Sequence, residues 1–498
     1  MLVEPTNLQC EWTSLMESAI GRPCCVVNVS TPGPAVWRVS PPVGAATVGG
    51  MTDSSTTLTG ASTELLQALI RSECVNDGTP DSGGEVRNVD LLRAYLEGPG
   101  VELATFESRP GRTSLVARME GSDPSAATVC LMGHTDVVPV NRDGWSRDPF
   151  GGELIDGEVW GRGALDMLYQ TATQAVAFRE LARTGFRPKG TLIYFAVADE
   201  EAGGTWGAKW MVDHHWDAIG CDYLLTELAG VALPAADGTR RVTVTVAEKG
   251  IAWRRLRITG RPGHGSMPFG ADNAIVTASE IVRRLHAYRP AAGLDDVWRA
   301  TIAAYEFEPE LTARLLDPTA VYDALNELHP DTATMLHACS HTTFSPNVVH
   351  GGVKTNVIPD TVELDVDVRT LPGVTGDEVD AALREAIGDL ADRVQISRLI
   401  DDQSTASGYD NAMWDSLTRR VQAAYPGSTL LPQLEIGATD SRFFRAKGTV
   451  AYGTGLFSPN VTFEDMISRF HGHDERIDVE SLGLSTDLWL GVARELLA

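Results

Sequence analysis

The sequence predicts an α/β fold: a mixed, largely parallel sheet with helices on both faces. Three short apolar segments bounded by polar residues have the composition of strands buried on both faces; they span residues 128–132, 192–198 and 223–225. A segment rich in helix-forming residues, 166–184, lies between the first two and is followed by the helix breakers Gly185 and Pro188. This alternation of strand and helix predicts a layered domain with a mostly parallel sheet.

A second domain of the α+β class is predicted to be inserted into the first. In residues 242–246 and again in 362–368, apolar residues alternate with polar ones, as in antiparallel strands that have one face in solvent. The segment 272–288 carries apolar residues at helical spacing, and Thr375 begins a capping-box pattern that predicts another helix.

These patterns divide the chain into four segments. We expect an N-terminal extension in 1–50, the first domain in 51–241 and 405–498, and the inserted domain in 242–404. Residues 290–345 show no pattern that assigns a fold. The Pro-rich segment 1–50 has no sustained period, which predicts a disordered tail or an extension upstream of a natural start at Met51.

The composition argues against several classes of partner. A net charge of -26 disfavours binding to nucleic acid or to an anionic membrane surface, because phosphate recognition needs clustered Lys and Arg. The sequence has no apolar run of membrane-spanning length and no secretory signal pattern. Seven cysteines without a Cys-x-x-Cys pair predict neither a disulfide framework nor a thiolate zinc site, so we expect a reducing compartment, the cytoplasm.

Residues of the types that bind metals follow all three predicted strands. His134 follows the first strand, Glu200 and Glu201 follow the second, and Glu227 follows the third. Because the carboxyl ends of parallel strands meet at one edge of a sheet, we expect these side chains to lie close together.

A metal site is the best interpretation of this arrangement. His134 and Asp136 form a His-x-Asp pair, in which the carboxylate would orient the ligating histidine, and a Gly-rich turn delivers Asp166. Neighbouring side chains in an extended segment point in different directions, so one of Glu200 and Glu201 could bind metal while the other faces water. The alternative, a solvated acidic turn, does not account for the ligand types at the other two strand ends.

The residues in these positions resemble the co-catalytic zinc hydrolases that include aminoacylase, glutamate carboxypeptidase, acetylornithine deacetylase and succinyl-diaminopimelate desuccinylase. The resemblance covers most of the chain from about residue 62 onward. The matching segments are Gly-His-Thr-Asp-Val-Val-Pro at 133–139, Trp-Gly-Arg-Gly-Ala-Leu-Asp at 160–166, Asp-Glu-Glu-Ala-Gly-Gly at 199–204, Gly-His-Gly-Ser at 263–266, Asn-Val-Ile-Pro at 356–359 and His-Gly-His-Asp-Glu at 471–475.

The resemblance implies a site with two zinc ions per subunit, for which Co²⁺ or Mn²⁺ could substitute. Asp166 would bridge the ions, His134 and Glu227 would complete one of them, and Glu201 and His471 the other. We choose His471 over His473 because Glu475, four residues after His471, matches the spacing of the family.

The resemblance also implies the catalytic roles. Glu200 would be the general base, which takes a proton from the attacking water and returns it to the leaving amine. Asp136 would lie behind His134.

The inserted domain resembles the lid and dimerisation domain of the family. This likeness implies a homodimer in which His264 reaches the active site of the partner subunit and stabilises the oxyanion. Asn356 would assist His264, and Arg369 would bind a substrate carboxylate.

The sequence thus predicts a zinc-dependent hydrolase that cleaves an amide bond with metal-activated water. The substrate would be a small peptide, as for a carboxypeptidase or dipeptidase, or an N-acyl amino acid. One alternative is an amidase acting on a carbamoyl or other non-peptide amide. The other is a metal-binding homologue without catalysis, against which stands the presence of the base and all five expected ligands.

Overall fold

The structure is a computed structural model that describes residues 38–39 and 58–498. Of the predicted extension 1–50, only Arg38 and Val39 are described, as a short strand that pairs with residues 102–103. The predictions for the rest of that segment lie outside the described residues. Among the described residues, no helix combines the length and the apolar character needed to cross a membrane.

The larger of two main sheets has eleven strands in the described part of the chain. Nine follow one another in the order Arg38–Val39, Glu102–Arg109, Arg112–Met119, Leu192–Val197, Val129–His134, Tyr223–Thr226, Val450–Gly453, Arg240–Glu248 and Thr405–Ala406. Ala229–Pro234 and Thr429–Glu435 also pair with Arg240–Glu248. The four central strands, from Leu192–Val197 to Val450–Gly453, run parallel.

Helices cover both faces of this sheet. Tyr194 and Phe195 are consecutive in a buried strand, so their side chains point to opposite faces. Tyr194 packs against Phe178 of helix Leu168–Arg183, with ring centroids 6.2 Å apart. Phe195 packs against Phe444 of the short helix Ser441–Arg445. The predicted α/β class, with a mixed and largely parallel sheet, is confirmed.

Seven further helices accompany the larger sheet in the described residues, and the last of them is a long C-terminal helix. The helices are Leu58–Arg71, Val86–Leu96, Ala208–His214, Trp216–Ile219, Ala412–Ala424, Phe463–Arg469 and Val479–Leu497. The C-terminal helix packs with Leu58–Arg71 and Leu168–Arg183, and its fully buried Trp489 donates a hydrogen bond from Nε1 to Thr173 Oγ1 (3.1 Å).

The strand Arg240–Glu248 differs from its predicted environment. Its alternating Val and Thr predicted a half-solvated strand of the inserted domain, but it is buried and pairs with strands of the larger sheet. Thr243 and Thr245 are buried because their hydroxyls have backbone partners. Thr243 Oγ1 accepts hydrogen bonds from the amides of residues 230 and 231, and Thr245 Oγ1 donates to Leu228 O.

A separate antiparallel sheet follows in the chain. Its strands are Gly250–Ile251, Arg254–Thr259, Thr343–Gly351, Thr361–Thr370 and Val394–Arg398. Every second residue of Thr361–Thr370 is buried, and helices Ala274–Ala287 and Gly376–Ile387 share an apolar core with that face. The capping box predicted at Thr375 is present, because Thr375 Oγ1 accepts from Glu378 N and Glu378 Oε2 accepts from Thr375 N.

The remaining strands of the described residues form two smaller sheets. One pairs Gly263–His264 with Val357–Ile358, and the other contains Glu153–Ile155, Glu158–Trp160 and Arg476–Asp478. Short 3₁₀ turns lie at Arg142–Gly144, Glu200–Ala202 and Gly388–Arg393.

Residues 290–345, which the sequence left unassigned, contain four helices with a core of their own. They are Asp296–Tyr305, Pro309–Leu315, Val321–Leu325 and Pro330–Ser340. Trp298, Ile302 and Leu336 lie in this core, and Asp296–Tyr305 also packs against strand Thr429–Glu435.

Lys249 connects this helical segment to the sheets. It lies between strands Arg240–Glu248 and Gly250–Ile251 and is only 2% exposed. Its Nζ donates hydrogen bonds to the carbonyls of Ala338 and His341 (2.8 Å each), at the C-terminal end of Pro330–Ser340. Burial lowers the pKa of Lys249 to about 8.

The pH dependence of stability should report this buried lysine. Between about pH 8 and its ordinary pKa of 10.5, the unfolded chain binds a proton that the folded chain lacks, so the unfolding free energy rises with pH. Compared with Lys249→Met, the wild type should gain at most about 1.4 kcal/mol per pH unit across that window in urea denaturation. Parallel pH profiles for the two proteins would contradict the assignment.

Candidate metal centre and active site

The predicted site residues on the three strands meet at one edge of the larger sheet. His134 is the last residue of Val129–His134, and Glu227 directly follows Tyr223–Thr226. Glu200 and Glu201 begin a 3₁₀ turn that follows strand Leu192–Val197 after two further residues. The three strands are parallel neighbours, with Val129–His134 in the middle, so their carboxyl ends lie side by side.

Two groups of three side chains share Asp166 at this edge. On one side, His134 Nε2 lies 3.1 Å from Asp166 Oδ1 and 3.6 Å from Glu227 Oε2. On the other side, His471 Nε2 lies 2.7 Å from Asp166 Oδ2 and 3.3 Å from Glu201 Oε2. Within each group the ligand-type atoms lie within 4.8 Å of one another, so each group could hold a metal ion.

The position of His134 depends on a glycine and a threonine. A Cβ at Gly133 would lie 2.4 Å from Thr171 Oγ1, so only glycine lets helix Leu168–Arg183 approach the strand end this closely. Thr171 Oγ1 donates a hydrogen bond to His134 O (2.7 Å). The peptide bond between Asp166 and Met167, just before this helix, is cis.

Asp136 orients both His134 and the turn that carries the two glutamates. His134 Nδ1 donates to the backbone carbonyl of Asp136 (2.9 Å), and a ring that donates from Nδ1 would present Nε2 to a metal. The Asp136 carboxylate lies farther from that nitrogen, at 3.5 Å. It accepts hydrogen bonds from the amides of Glu200 (3.3 Å) and Glu201 (3.2 Å).

A buried network behind Asp136 was not predicted from the sequence. Asn76 Nδ2 donates to Asp136 Oδ2 (2.8 Å), and Arg112 donates to Asn76 Oδ1 (2.8 Å) and to Glu85 Oε1 (2.5 Å). Asn76, Arg112 and Glu85 are all at most 3% exposed. They belong to no short motif, and Arg112 is 27 residues from Glu85 and 36 from Asn76, so only their shared burial in the fold identifies them.

Glu475 joins the C-terminal segment to the turn that carries Asp166. Its Oε1 accepts hydrogen bonds from the amides of Leu165 (2.6 Å) and Asp166 (3.1 Å), and its Oε2 pairs with Arg162 (2.7 Å). Arg162 also donates to His471 O. These contacts fix His471 and Asp166 relative to each other.

Strained backbone is concentrated at this site. Eight non-glycine residues in the described part of the chain have positive φ. Four of them, Asp199, Leu228, Ala229 and His471, lie at or within two residues of a predicted site residue. Such conformations cost about 1–3 kcal/mol each and persist where the surrounding contacts fix them, as at active sites.

The site concentrates negative charge in a buried volume. Burial and the nearby Asp166 raise the pKa of Glu201 to about 7, and burial raises the pKa of Glu227 to about 8. Hydrogen bonds to Asp166 and Glu201 raise the pKa of His471 to about 10. Glu201 Oε1 is buried and has no hydrogen-bond partner among the described residues. Crowded carboxylates with an unpaired oxygen suit divalent cations.

Asp440 is a further acidic residue that the sequence did not single out. A Cβ at Gly204 would lie 2.2 Å from Asp440 Oδ1, so the carboxylate packs directly against the turn that begins with Glu200. Both of its oxygens are buried without a hydrogen-bond partner among the described residues, and burial raises its pKa to about 7.

The residues predicted from the lid lie apart from this cluster. His264 and Asn356 are exposed neighbours, since Gly265 N donates to Asn356 O, and His264 Nδ1 accepts from Ser266 Oγ. Arg369 is half-buried and its Nε donates to Asp367 Oδ1 (2.8 Å). Within residues 58–498, no hydrogen bond or ion pair joins these three to the metal-type cluster.

His473, the alternative to His471, lies elsewhere. A Cβ at Gly144 would lie 2.2 Å from its ring, so the ring packs on the turn at Arg142–Gly144.

The fold and the paired groups of histidines and carboxylates define the class of metallopeptidases and related amide hydrolases. The chain belongs to the Peptidase family M20/M25/M40, whose family model matches residues 130–495. This confirms the resemblance predicted from the motifs.

Three relatives illustrate the range of the family. "Probable carboxypeptidase S-like 2" of Dictyostelium discoideum is 28% identical over 390 residues, covering 76% of this chain and 73% of the relative. Aminoacylase-1 of Sus scrofa is 28% identical over 405 residues, covering 80% and 86%. The solved M20 family metallo-carboxypeptidase Sso-CP2 from Sulfolobus solfataricus shares the fold, with a TM-score of 0.66, 15% identity, and coverage of 87% and 99%. The protein is a hydrolase acting on amide bonds.

The contacts of Glu475 predict a stability effect. In Glu475→Gln the guanidinium of Arg162 stays buried without a charged partner, so the unfolding free energy measured in urea should fall by about 3–5 kcal/mol. The matched control is Asp148→Asn, which neutralises one member of the exposed pair with Arg142 and should cost less than about 1 kcal/mol. Similar small losses in both variants would contradict the role of Glu475.

Proposed function

We propose that this amide hydrolase is a zinc-dependent enzyme acting on small peptides or N-acyl amino acids. The observation that carries the proposal is the position of Asp166, whose two carboxylate oxygens face two histidines, each next to a further carboxylate. The family includes carboxypeptidase-like and aminoacylase relatives, which supports these two substrate classes. The cysteine pattern supports a cytoplasmic location.

The residues present fit two metal ions. Asp166 would contact both ions, His134 and Glu227 would hold one, and Glu201 and His471 the other. The unpaired Glu201 Oε1 supports this assignment, because a cation would satisfy a buried oxygen that has no donor among the described residues. Two zinc ions bound there would lower the pKa of water and polarise the scissile carbonyl.

Glu200 is the proposed general base. Burial and the charge of Glu227 raise the pKa of Glu200, which favours a carboxylate that both takes and returns a proton. Its backbone amide is fixed by Asp136, and Asp199 before it has positive φ, so the side chain starts from a constrained backbone. Glu200 would take a proton from the attacking water and give it to the leaving amine.

The segment between the two parts of the larger sheet would supply groups for the substrate, Arg369 from the five-stranded antiparallel sheet and His264 from the small two-stranded sheet. We assign the part of the predicted segment 242–404 that follows strand Arg240–Glu248 as a lid and dimerisation domain, in which His264, assisted by Asn356, stabilises the oxyanion in the partner subunit. The separation of His264 from its own chain's metal-type cluster supports this arrangement. Arg369, whose side chain is 27% exposed and pairs with Asp367, would bind the substrate carboxylate.

Replacing the base should separate catalysis from metal binding. Glu200→Gln should lower kcat by about a thousandfold, because the proton transfers lose their carboxylate, while zinc content stays at two per chain. The measurements are amide hydrolysis and metal analysis, with the exposed Glu153→Gln as the control that keeps full activity.

Chelation should abolish wild-type hydrolysis of dipeptides and N-acetyl amino acids, and zinc should restore it. Full activity in Glu200→Gln would refute the assignment of Glu200 as the general base. Cleavage of carbamoyl substrates only would favour the alternative function, an amidase acting on non-peptide amides.

Mixing two inactive variants tests whether His264 acts across subunits. In a mixed dimer of Glu200→Gln with His264→Ala, one site combines an intact Glu200 with the partner's intact His264, so hydrolysis should reappear. Each variant alone should stay nearly inactive, and sedimentation should show a dimer. If refolded mixtures remain as inactive as the separate variants, His264 does not act in trans.

A further inference from the structure

An apolar cavity of about 530 Å³ lies next to the metal-type cluster. This volume is in the range of small-molecule sites, about 300–1,000 Å³. Its walls come from strands Ala229–Pro234 and Thr429–Glu435 and from helices Asp296–Tyr305, Pro330–Ser340 and Phe463–Arg469, and Thr245 of Arg240–Glu248 adds to them. Two of the three helices therefore belong to the helical segment that the sequence left unassigned.

The cavity begins at the residues that flank two of the proposed ligands. Leu228 and Ala229 line it directly after Glu227, and Phe470 lines it directly before His471. A narrow adjoining cavity is lined by Glu227 itself and shares Leu228, Ala229 and Phe470 with the larger one. An extended group that leaves the site past Glu227 would thus enter the apolar cavity.

The residues that line the cavity indicate whether it fits the acyl half or the carboxylate-bearing half of an amide substrate. Among the described residues that line the cavity there is no Lys, Arg or His, and the single charged one is Glu435, whose pKa is raised by burial. A substrate carboxylate would gain no partner there and would lose its hydration, so the carboxylate-bearing half is excluded. The cavity therefore suits the half of the amide that carries the acyl group.

We propose that this cavity binds the acyl chain of the substrate, so that the enzyme prefers amino acids with long, apolar N-acyl groups. The inference rests on the proposed function, because it places the scissile amide at the Asp166 cluster. Tyr305 and Ile467 line the cavity but are 43% and 53% exposed. An alkyl chain would remove such surface from water, which favours binding in proportion to the area covered.

A series of acyl lengths on one amino acid tests the proposal in the wild type. N-acetyl, N-octanoyl and N-hexadecanoyl derivatives of one amino acid differ only in the group that would enter the cavity. We expect kcat/KM to rise from acetyl to octanoyl, by up to about fourfold for each methylene that becomes buried. Dodecanoate should inhibit hydrolysis of the acetyl substrate competitively, and butyrate should not.

A pair of adjacent alanines gives a matched set of variants. Ala304 lines the cavity from helix Asp296–Tyr305, whereas the neighbouring Ala303 is exposed and does not line it. Ala304→Trp should lower kcat/KM for the octanoyl and hexadecanoyl substrates by at least about tenfold and change the acetyl value by less than about twofold. Ala303→Trp should keep the wild-type dependence on acyl length.

The outcomes separate the two proposals. If the wild type hydrolyses N-acetyl amino acids and the rate is independent of acyl length, the cavity assignment is wrong while the proposed function stands. Equal losses for all three substrates in Ala304→Trp, with Ala303→Trp unchanged, would also reject the acyl site. Lack of hydrolysis of every N-acyl amino acid and dipeptide would reject the proposed function itself.

Discussion

The site depends on the contacts of the Asp166 carboxylate with His134 and His471. One histidine ends a central strand, and the other comes from the C-terminal part of the chain, so these contacts close the chain across the sheet edge. The cost is a cluster of carboxylates removed from water, which raises the pKa values of Glu201 and Glu227. Much of the surrounding structure holds these acids together in spite of their mutual repulsion, as the contacts of Asp136 and Glu475 show.

The sequence predicted the strand ends well because burial on both faces leaves a strong local signal. The strands before His134 and Glu227 are mostly apolar, and parallel order alone brings their ends together. His471 does not follow an apolar strand, and only its match to the family motif identified it. Asn76 and Arg112 are marked neither by a strand end nor by a family motif, since each is an isolated polar residue whose partners are distant in sequence. Their importance depends on burial, which only the fold reveals.

The environment wrongly predicted for one strand and the segment left without a prediction also have physical causes. Arg240–Glu248 has the alternation of a half-solvated strand, but Thr243 and Thr245 bury their hydroxyls by bonding to backbone atoms of residues 228–231. Polar residues at every second position therefore do not establish solvent exposure. In 290–345 the helices are short, and Pro309–Leu315 and Pro330–Ser340 begin with proline. Their helical periodicity is too brief to be distinguished from loops, although tertiary packing stabilises them.

The misassigned strand links the metal-type cluster to the acyl cavity. Thr245 lines the cavity, and its hydroxyl donates to Leu228 O, next to Glu227. Leu228 has positive φ, so this hydrogen bond helps to hold a strained residue that lines the cavity and directly follows a proposed ligand. Further along the same chain segment, Lys249 anchors helix Pro330–Ser340, which forms another wall. One continuous segment therefore sets both the backbone beside Glu227 and the walls of the cavity, so the chemistry and the substrate preference are coupled through it.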